Sequence, residues 1–142
     1  MTFYILDTDH VSLFQSGHPL VTNKVNTIDL ELITTTVITL EEQLYGRLNR
    51  IRRANSSTAL VYAYEKLEDT WNFFDSINLL SFTNEASFYY DELIKEKIRI
   101  GTQDLKIASI ALSVQGVLVT RNYKDFMKVP NLQMEDWSLQ SS

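Results

Sequence analysis

Four abrupt junctions between apolar and polar residues constrain what this chain can fold into. Asp7 follows Phe3-Tyr4-Ile5-Leu6, and Glu42 follows Val37-Ile38-Thr39-Leu40. Asp104 opens a long apolar helix, and Asn122-Tyr123-Lys124-Asp125 follows Val117-Leu118-Val119-Thr120. Runs so short and so continuously apolar read as strands buried on both faces. The stretches between them carry apolar residues at three- and four-residue steps, the helical period. Strands alternating with helices imply a parallel sheet covered on both sides. In such a sheet ligands sit beyond the carboxyl ends of the strands. Carboxylates from distant stretches can meet there around hard cations.

The expected elements follow in order. A first strand covers 3–6, and Asp9 caps a helix through Val11 and Phe14 that Gly17 and Pro19 close. A second helical piece covers Leu20 to Ile28. Leu32 to Ile38, rich in Thr, Val and Ile, is the second strand. Thr39-Leu40-Glu41-Glu42 opens a helix carrying Leu44, Leu48 and Ile51. Ser57 to Phe74 is a longer helix with Leu60, Tyr64, Leu67, Trp71 and Phe74 in register. A brief strand near Asn78 to Phe82 precedes a helix capped by Asn84. Thr102 caps the next helix, whose apolar residues run round most of its circumference and predict burial; Gly116 stops it. Val117 to Thr120 is a further strand, and Leu132-Gln133-Met134 an edge strand after Pro130. The predicted fold is α/β: a three-layer α/β/α sandwich around a central, mostly parallel sheet of four or five strands. It forms a single domain over 1–137 with a short tail at 138–142.

Composition removes several chemistries. The 142 residues suit one compact domain, and 44% hydrophobic with 22% charged residues is ordinary for a globular chain. There is no cysteine, hence no disulfide, thiol nucleophile or thiolate zinc site. Two histidines, His10 and His18, cannot make a three-histidine site, and both are expected at the surface or as caps. A charge arrives too early for a signal peptide and no run approaches membrane-spanning length, so a cytoplasmic protein is expected. The net charge of −5 argues against a general nucleic-acid coat protein. It does not argue against a nuclease, whose acidic centre is flanked by local basic surface. Arg47, Arg50, Arg52 and Arg53 form such a cluster, although each alone is equally a solvated helix residue.

Each acidic junction also has a plain structural explanation. Asp7 can cap a helix. Thr39-x-x-Glu42 fits a capping box, with Glu42 folded back on the threonine N–H. Asp104 lies in a first turn, where the helix dipole favours an anion. Asn122 is a common turn residue, and Asp125 a spare carboxylate. Glu41 and Glu42 differ by about 100° around a helix, so only one of them readily faces the sheet edge. Together, the four junctions place acidic groups at one edge of a parallel sheet.

With these residues laid out, the chain resembles the PIN-domain ribonucleases of the VapC toxin type. The matching segments are Tyr4-Ile5-Leu6-Asp7-Thr8-Asp9, Ile38-Thr39-Leu40-Glu41-Glu42-Gln43-Leu44-Tyr45-Gly46, Asp104-Leu105-Lys106-Ile107-Ala108, and Leu118 to Phe126 with its Thr120-Arg121-Asn122 core. The ending Val129-Pro130-Asn131-Leu132 with Glu135-Asp136-Trp137 is similar as well. The resemblance implies catalytic roles for Asp7, Glu42, Asp104 and Asn122, the last where many members have Asp. It implies one or two Mg²⁺ or Mn²⁺ ions held by Asp7, Asp104 and Glu42, supported by Asp9, Thr120 and Asp125. The implied reaction is cleavage of RNA, transfer RNA among the candidates, by metal-activated water. Arg47, Arg50, Arg53 and Arg121 are the implied RNA contacts. A small antitoxin and a homodimer are the implied partners.

Two other readings are compatible with parts of the sequence. Asn122 removes one negative charge, which suits a PIN-like module that has lost activity and only binds. Asp7-Thr8-Asp9 also resembles the first motif of haloacid-dehalogenase-type phosphatases, with Asp7 as nucleophile, but no paired acidic motif follows a late strand.

Overall fold

The computed structural model describes residues 1–140; Ser141 and Ser142, the end of the expected tail, lie outside the described residues. Five strands form one sheet: β1 (Tyr4–Leu6), β2 (Ile33–Thr36), β3 (Asn78–Leu80), β4 (Val117–Val119) and β5 (Gln133–Glu135), in the order β3-β2-β1-β4-β5. Every neighbouring pair is parallel. Seven helices connect them: α1 (Thr8–Gln15), α2 (Pro19–Val25), α3 (Val37–Arg53), α4 (Ser57–Ser76), α5 (Asn84–Lys95), α6 (Thr102–Ser113) and α7 (Tyr123–Phe126). The α/β class and the parallel sheet are as the alternating pattern required.

Alternation along the central strands separates two cores. Ile5 and Leu118 face a core with Ile107, Ala111 and Leu93 from α6 and α5. Leu6 and Val119 face the other, with Val11, Val21 and Phe74 from α1, α2 and α4. β2 is wholly buried although three of its four residues are threonines. Their hydroxyls all find partners: Thr34 Oγ1 donates to Tyr4 O of the neighbouring strand at 3.0 Å, Thr35 Oγ1 to Leu6 O at 2.7 Å, and Thr36 Oγ1 pairs with Thr39 Oγ1 at 3.3 Å. Helix α6 is buried through its middle, at Leu105 and from Ile107 to Ala111, as its apolar circumference predicts.

Several boundaries move. The first helix is capped by Asp7, not Asp9, and α5 by Thr83, not Asn84. α6 starts from Gly101, with Thr102 already in its first turn. Gln115, at φ 52°, takes the left-handed position after α6. Gly116 has a different function: a Cβ there would lie 2.7 Å from Ile5 Cδ1 and 3.1 Å from Phe3 O. It lets the chain enter β4 against β1. On α4 the buried line is Ala63, Thr70 and Phe74, while Leu60, Tyr64 and Trp71 are exposed. Small Ala63 and Thr70, the latter bonded to Arg47 of α3 at 2.8 Å, let the two helices approach and leave the larger residues outside.

Candidate active site

The strand order reverses at β1, with β2 on one side and β4 on the other. That is the switch point where a crevice opens at the carboxyl edge of a doubly wound sheet. All four expected positions come to this edge. Asp7 leaves β1, α3 carries Glu42 away from β2, Asn122 follows β4, and α6 starts at this edge because it runs antiparallel to the strand it feeds.

Asp7 is 6% exposed, and its backbone N–H donates to Val119 O at 3.1 Å, extending the β1–β4 pairing by one residue. Its Oδ1 accepts the His10 N–H at 2.8 Å, which makes it the α1 cap. The cap role and a place in the acidic crevice thus coincide, since one carboxylate oxygen serves the helix and the other stays free of it.

Glu42 departs from the capping-box expectation. β2 ends at Thr36, which accepts the Thr39 N–H at 3.2 Å and caps α3. Thr39 is therefore the third helical residue, and Glu42 lies too deep in the helix to reach a free amide. Its Oε1 instead accepts the Thr8 hydroxyl at 2.6 Å. Glu41 points elsewhere and takes Gln103 Nε2 at 2.9 Å. Only one of the pair faces the crevice, as helical geometry demanded.

Asp104 shows how crowded the acids are. Its pKa is raised to about 6, first by burial and then by the charges of Asp7, Glu42 and Asp125. This overrides the helix dipole, which by itself would favour the anion in the first turn of α6. Asn122 Nδ2 donates to Asp125 Oδ2 at 3.1 Å, so Asp125 brings a carboxylate beside the amide. Thr120, wholly buried, accepts the Asn122 N–H at 2.9 Å and shapes the turn after β4.

Asp9 and Arg121 turn toward each other. The guanidinium grips both Asp9 oxygens, at 2.7 and 2.8 Å, across 112 residues. The hydrogen bond from Arg121 holds the Asp9 carboxyl below its usual range. Arg47 is tied to Thr70, and Arg50 lies 5.1 Å from the Tyr62 ring. At about 1.5 Å per residue along α3, Arg50 and Arg53 sit roughly 12–17 Å beyond Glu42, on the part of the helix leading away from the crevice.

The histidines divide. His18 caps α2 by accepting the Val21 N–H at 3.4 Å. His10 is not at the surface but wholly buried beside Asp7. One ligand atom each from Asp7, Asp9 and His10 lie within 4.8 Å of one another. Among the described residues Asp7, Glu42 and Asp104 do not draw so close as a trio. Their donors are nonetheless of a kind suited to a divalent ion. They are carboxylate oxygens, the ligands hard cations prefer. Asp9 is occupied by Arg121, and the like-charge crowding at Asp104 is what a cation relieves. Sequence reasoning gave no role to Thr8 or His10, although both lie in the first acidic segment.

Sheet order and acidic crevice together define a PIN-like α/β protein. No family model matches the chain. It is 30% identical over 142 residues to the ribonuclease VapC2 of Rickettsia felis, covering 94% of this chain and 97% of that one. The solved VapBC2 of the same organism, bound to a DNA fragment from its promoter, contains a chain that matches with TM-score 0.73 and 28% identity, covering 96% of this chain and 99% of that chain. VapBC-1 of nontypeable Haemophilus influenzae gives TM-score 0.77 at 24% identity over 97% of this chain and all of that one. The chain belongs to the VapC ribonuclease family. The phosphatase reading of Asp7 and Asp9 is thereby set aside.

Proposed function

We propose that this chain is a divalent-metal-dependent endoribonuclease, the toxin of a VapBC-type pair, with Asp7, Glu42, Asp104 and Asn122 as its catalytic residues. The observation that carries the reading is the gathering of Asp7, Glu42 and Asp104 at the carboxyl edge of the sheet, close enough that burial and the charges of Asp7 and Glu42 raise the Asp104 carboxyl to about 6. Acids gathered at the switch point of a parallel sheet, with no nucleophilic thiol in the chain, suit hydrolysis by activated water. Asp7, Asp104 and Glu42 would hold one or two Mg²⁺ or Mn²⁺ ions. When bound, such an ion acidifies water and offsets charge on the phosphoryl oxygens.

The remaining residues position and balance charge. Thr8 holds Glu42 in place, Thr120 fixes the turn that presents Asn122, and Asp125 supplies the negative charge that Asn122 lacks. Asp9 acts at the rim through Arg121. Arg121, Arg47, Arg50 and Arg53 remain the basic groups offered to RNA, transfer RNA among the targets. The VapBC complexes of the relatives support a small antitoxin as partner. A homodimer, a single domain over 1–137 and a cytoplasmic location complete the reading. No helix of the described chain is long and apolar enough to cross a membrane.

The test is cleavage of RNA by the purified protein with and without Mn²⁺, beside Asp7→Asn. Metal-dependent cleavage that the substitution abolishes, with unchanged melting, supports the proposal. Metal-independent cleavage, or an Asp7→Asn protein as active as the parent, overturns it. A protein that neither cleaves nor gains melting temperature with Mn²⁺ is the inactive binding module, since a ligand of the folded state must raise it.

A further inference from the structure

His10 is wholly buried between the end of β1 and the C-terminal segment. Its Nε2 accepts the Trp137 backbone N–H at 3.3 Å. An accepting nitrogen carries no proton, so the neutral ring holds its proton on Nδ1. Nδ1 has no hydrogen-bond partner and faces Asp7 Oδ1 at 3.5 Å, just beyond bonding distance. Asp136 Oδ1 stands 3.6 Å from Nε2 but already accepts the Ser138 N–H at 2.8 Å and hydroxyl at 2.6 Å. The ring is held from the Trp137 side. That indole packs on Tyr4 at 5.6 Å and donates to Glu135 Oε1 at 2.9 Å.

We propose that His10 is a positioning residue for Asp7: the Trp137 N–H fixes the ring so that Nδ1–H backs Asp7 Oδ1, leaving Oδ2 to the reaction. The backbone N–H of His10 already binds Oδ1 at 2.8 Å, and the ring N–H, its nitrogen 3.5 Å away, faces the same oxygen and need close only a short gap to reach it. Rotation of the carboxylate is then restricted from behind, as metal-bound carboxylates commonly are by their outer hydrogen bonds. Through this ring the chain at Trp137, near the end of the described structure, is tied to the acidic crevice. The inference rests on Asp7 being a metal-binding carboxylate.

Two measurements test it. In the ¹⁵N-labelled wild-type protein, the nitrogen shifts of the neutral His10 ring should report the proton on Nδ1; a proton on Nε2 overturns the inference. Mn²⁺ binding, followed by electron paramagnetic resonance, should separate two substitutions. His10→Asn can keep an N–H near the Nδ1 position, whereas His10→Gln keeps only the acceptor for Trp137. Asn should bind Mn²⁺ within about 3-fold of wild type and Gln about 10-fold more weakly, the lower end of what lost outer hydrogen bonds cost. Equal affinity in the two variants overturns the positioning role. Failure of the metal reading looks different: wild type and Asp7→Asn would then bind Mn²⁺ alike.

Discussion

Thr8 donates its hydroxyl to Glu42 Oε1 at 2.6 Å, joining the first turn of α1 to the second turn of α3 across 34 residues of chain. Thr39 Oγ1 lies 3.1 Å from the same hydroxyl, but one proton serves one acceptor, and the short contact to a carboxylate wins. Thr8→Val removes this bond while keeping the shape of the side chain. A hydrogen bond to a charged group is worth about 1.5–3 kcal/mol, so RNA cleavage should fall about 10- to 150-fold if that bond holds Glu42 in its reactive position. Thr8→Ser should restore it. Initial rates on one oligonucleotide, beside melting curves, make the comparison; an unchanged Thr8→Val rate excludes the role.

Glu42→Gln separates charge from structure. Glu42 does not close a capping box, so the amide should leave the melting temperature where it was, or slightly higher as repulsion with Asp104 is relieved. Cleavage should fall sharply. The cap of α3 is Thr36. Thr36→Ala should therefore cost about 1 kcal/mol in urea unfolding, and Thr39→Ala should leave the cap intact.

Asp104 makes stability depend on pH in a defined direction. Its carboxyl keeps its proton up to about pH 6 in the folded protein, against 3.8 for the free group. Between those values the folded state binds more protons than the unfolded one, so stability falls as pH rises. Below the lower value both states are protonated and the group contributes nothing. Asp104→Asn should match wild type near pH 4 and gain on it as pH rises to about 6, the advantage levelling off above that, in metal-free buffer. Mn²⁺ should cancel that advantage by stabilising only wild type. Urea midpoints across pH test both statements, and a constant difference between the proteins refutes them.

Gly116→Ala probes the β1–β4 seam rather than the crevice. The added methyl meets Ile5 Cδ1 at 2.7 Å and the backbone oxygen of Phe3 at 3.1 Å, and Ile5 is fully buried. Overpacking of this kind costs about 1–3 kcal/mol. Chemical unfolding should register the loss; a neutral result would show that β1 can shift.

Local sequence determined the parts of this protein that depend on neighbours in the chain. Continuous apolar runs such as Val117-Leu118-Val119 could only be buried strands, and the apolar circumference of 105–112 could only be a buried helix. Asp7, Asp104 and Asn122 fall at element junctions and Glu42 in the second turn after one, and junctions of a parallel α/β fold share one edge. The failures were also local. Val37 and Ile38 extend a β-branched run and read as strand, whereas in the fold they open α3, which puts Glu42 beyond the reach of a capping box.

Tertiary structure alone decided the partners. Asp9 meets Arg121 over 112 residues, Thr8 meets Glu42 over 34, and His10 meets Trp137 over 127. A side chain's period along its own element tells which way it faces and nothing about what faces it. Burial of His10, the lifted acidity of Asp104 and the outward face of α4 are likewise sums over neighbours that the folded chain brings together. Hydrophobic spacing fixes the layers, whereas charge and hydrogen-bond partners depend on distances that exist only once those layers have packed.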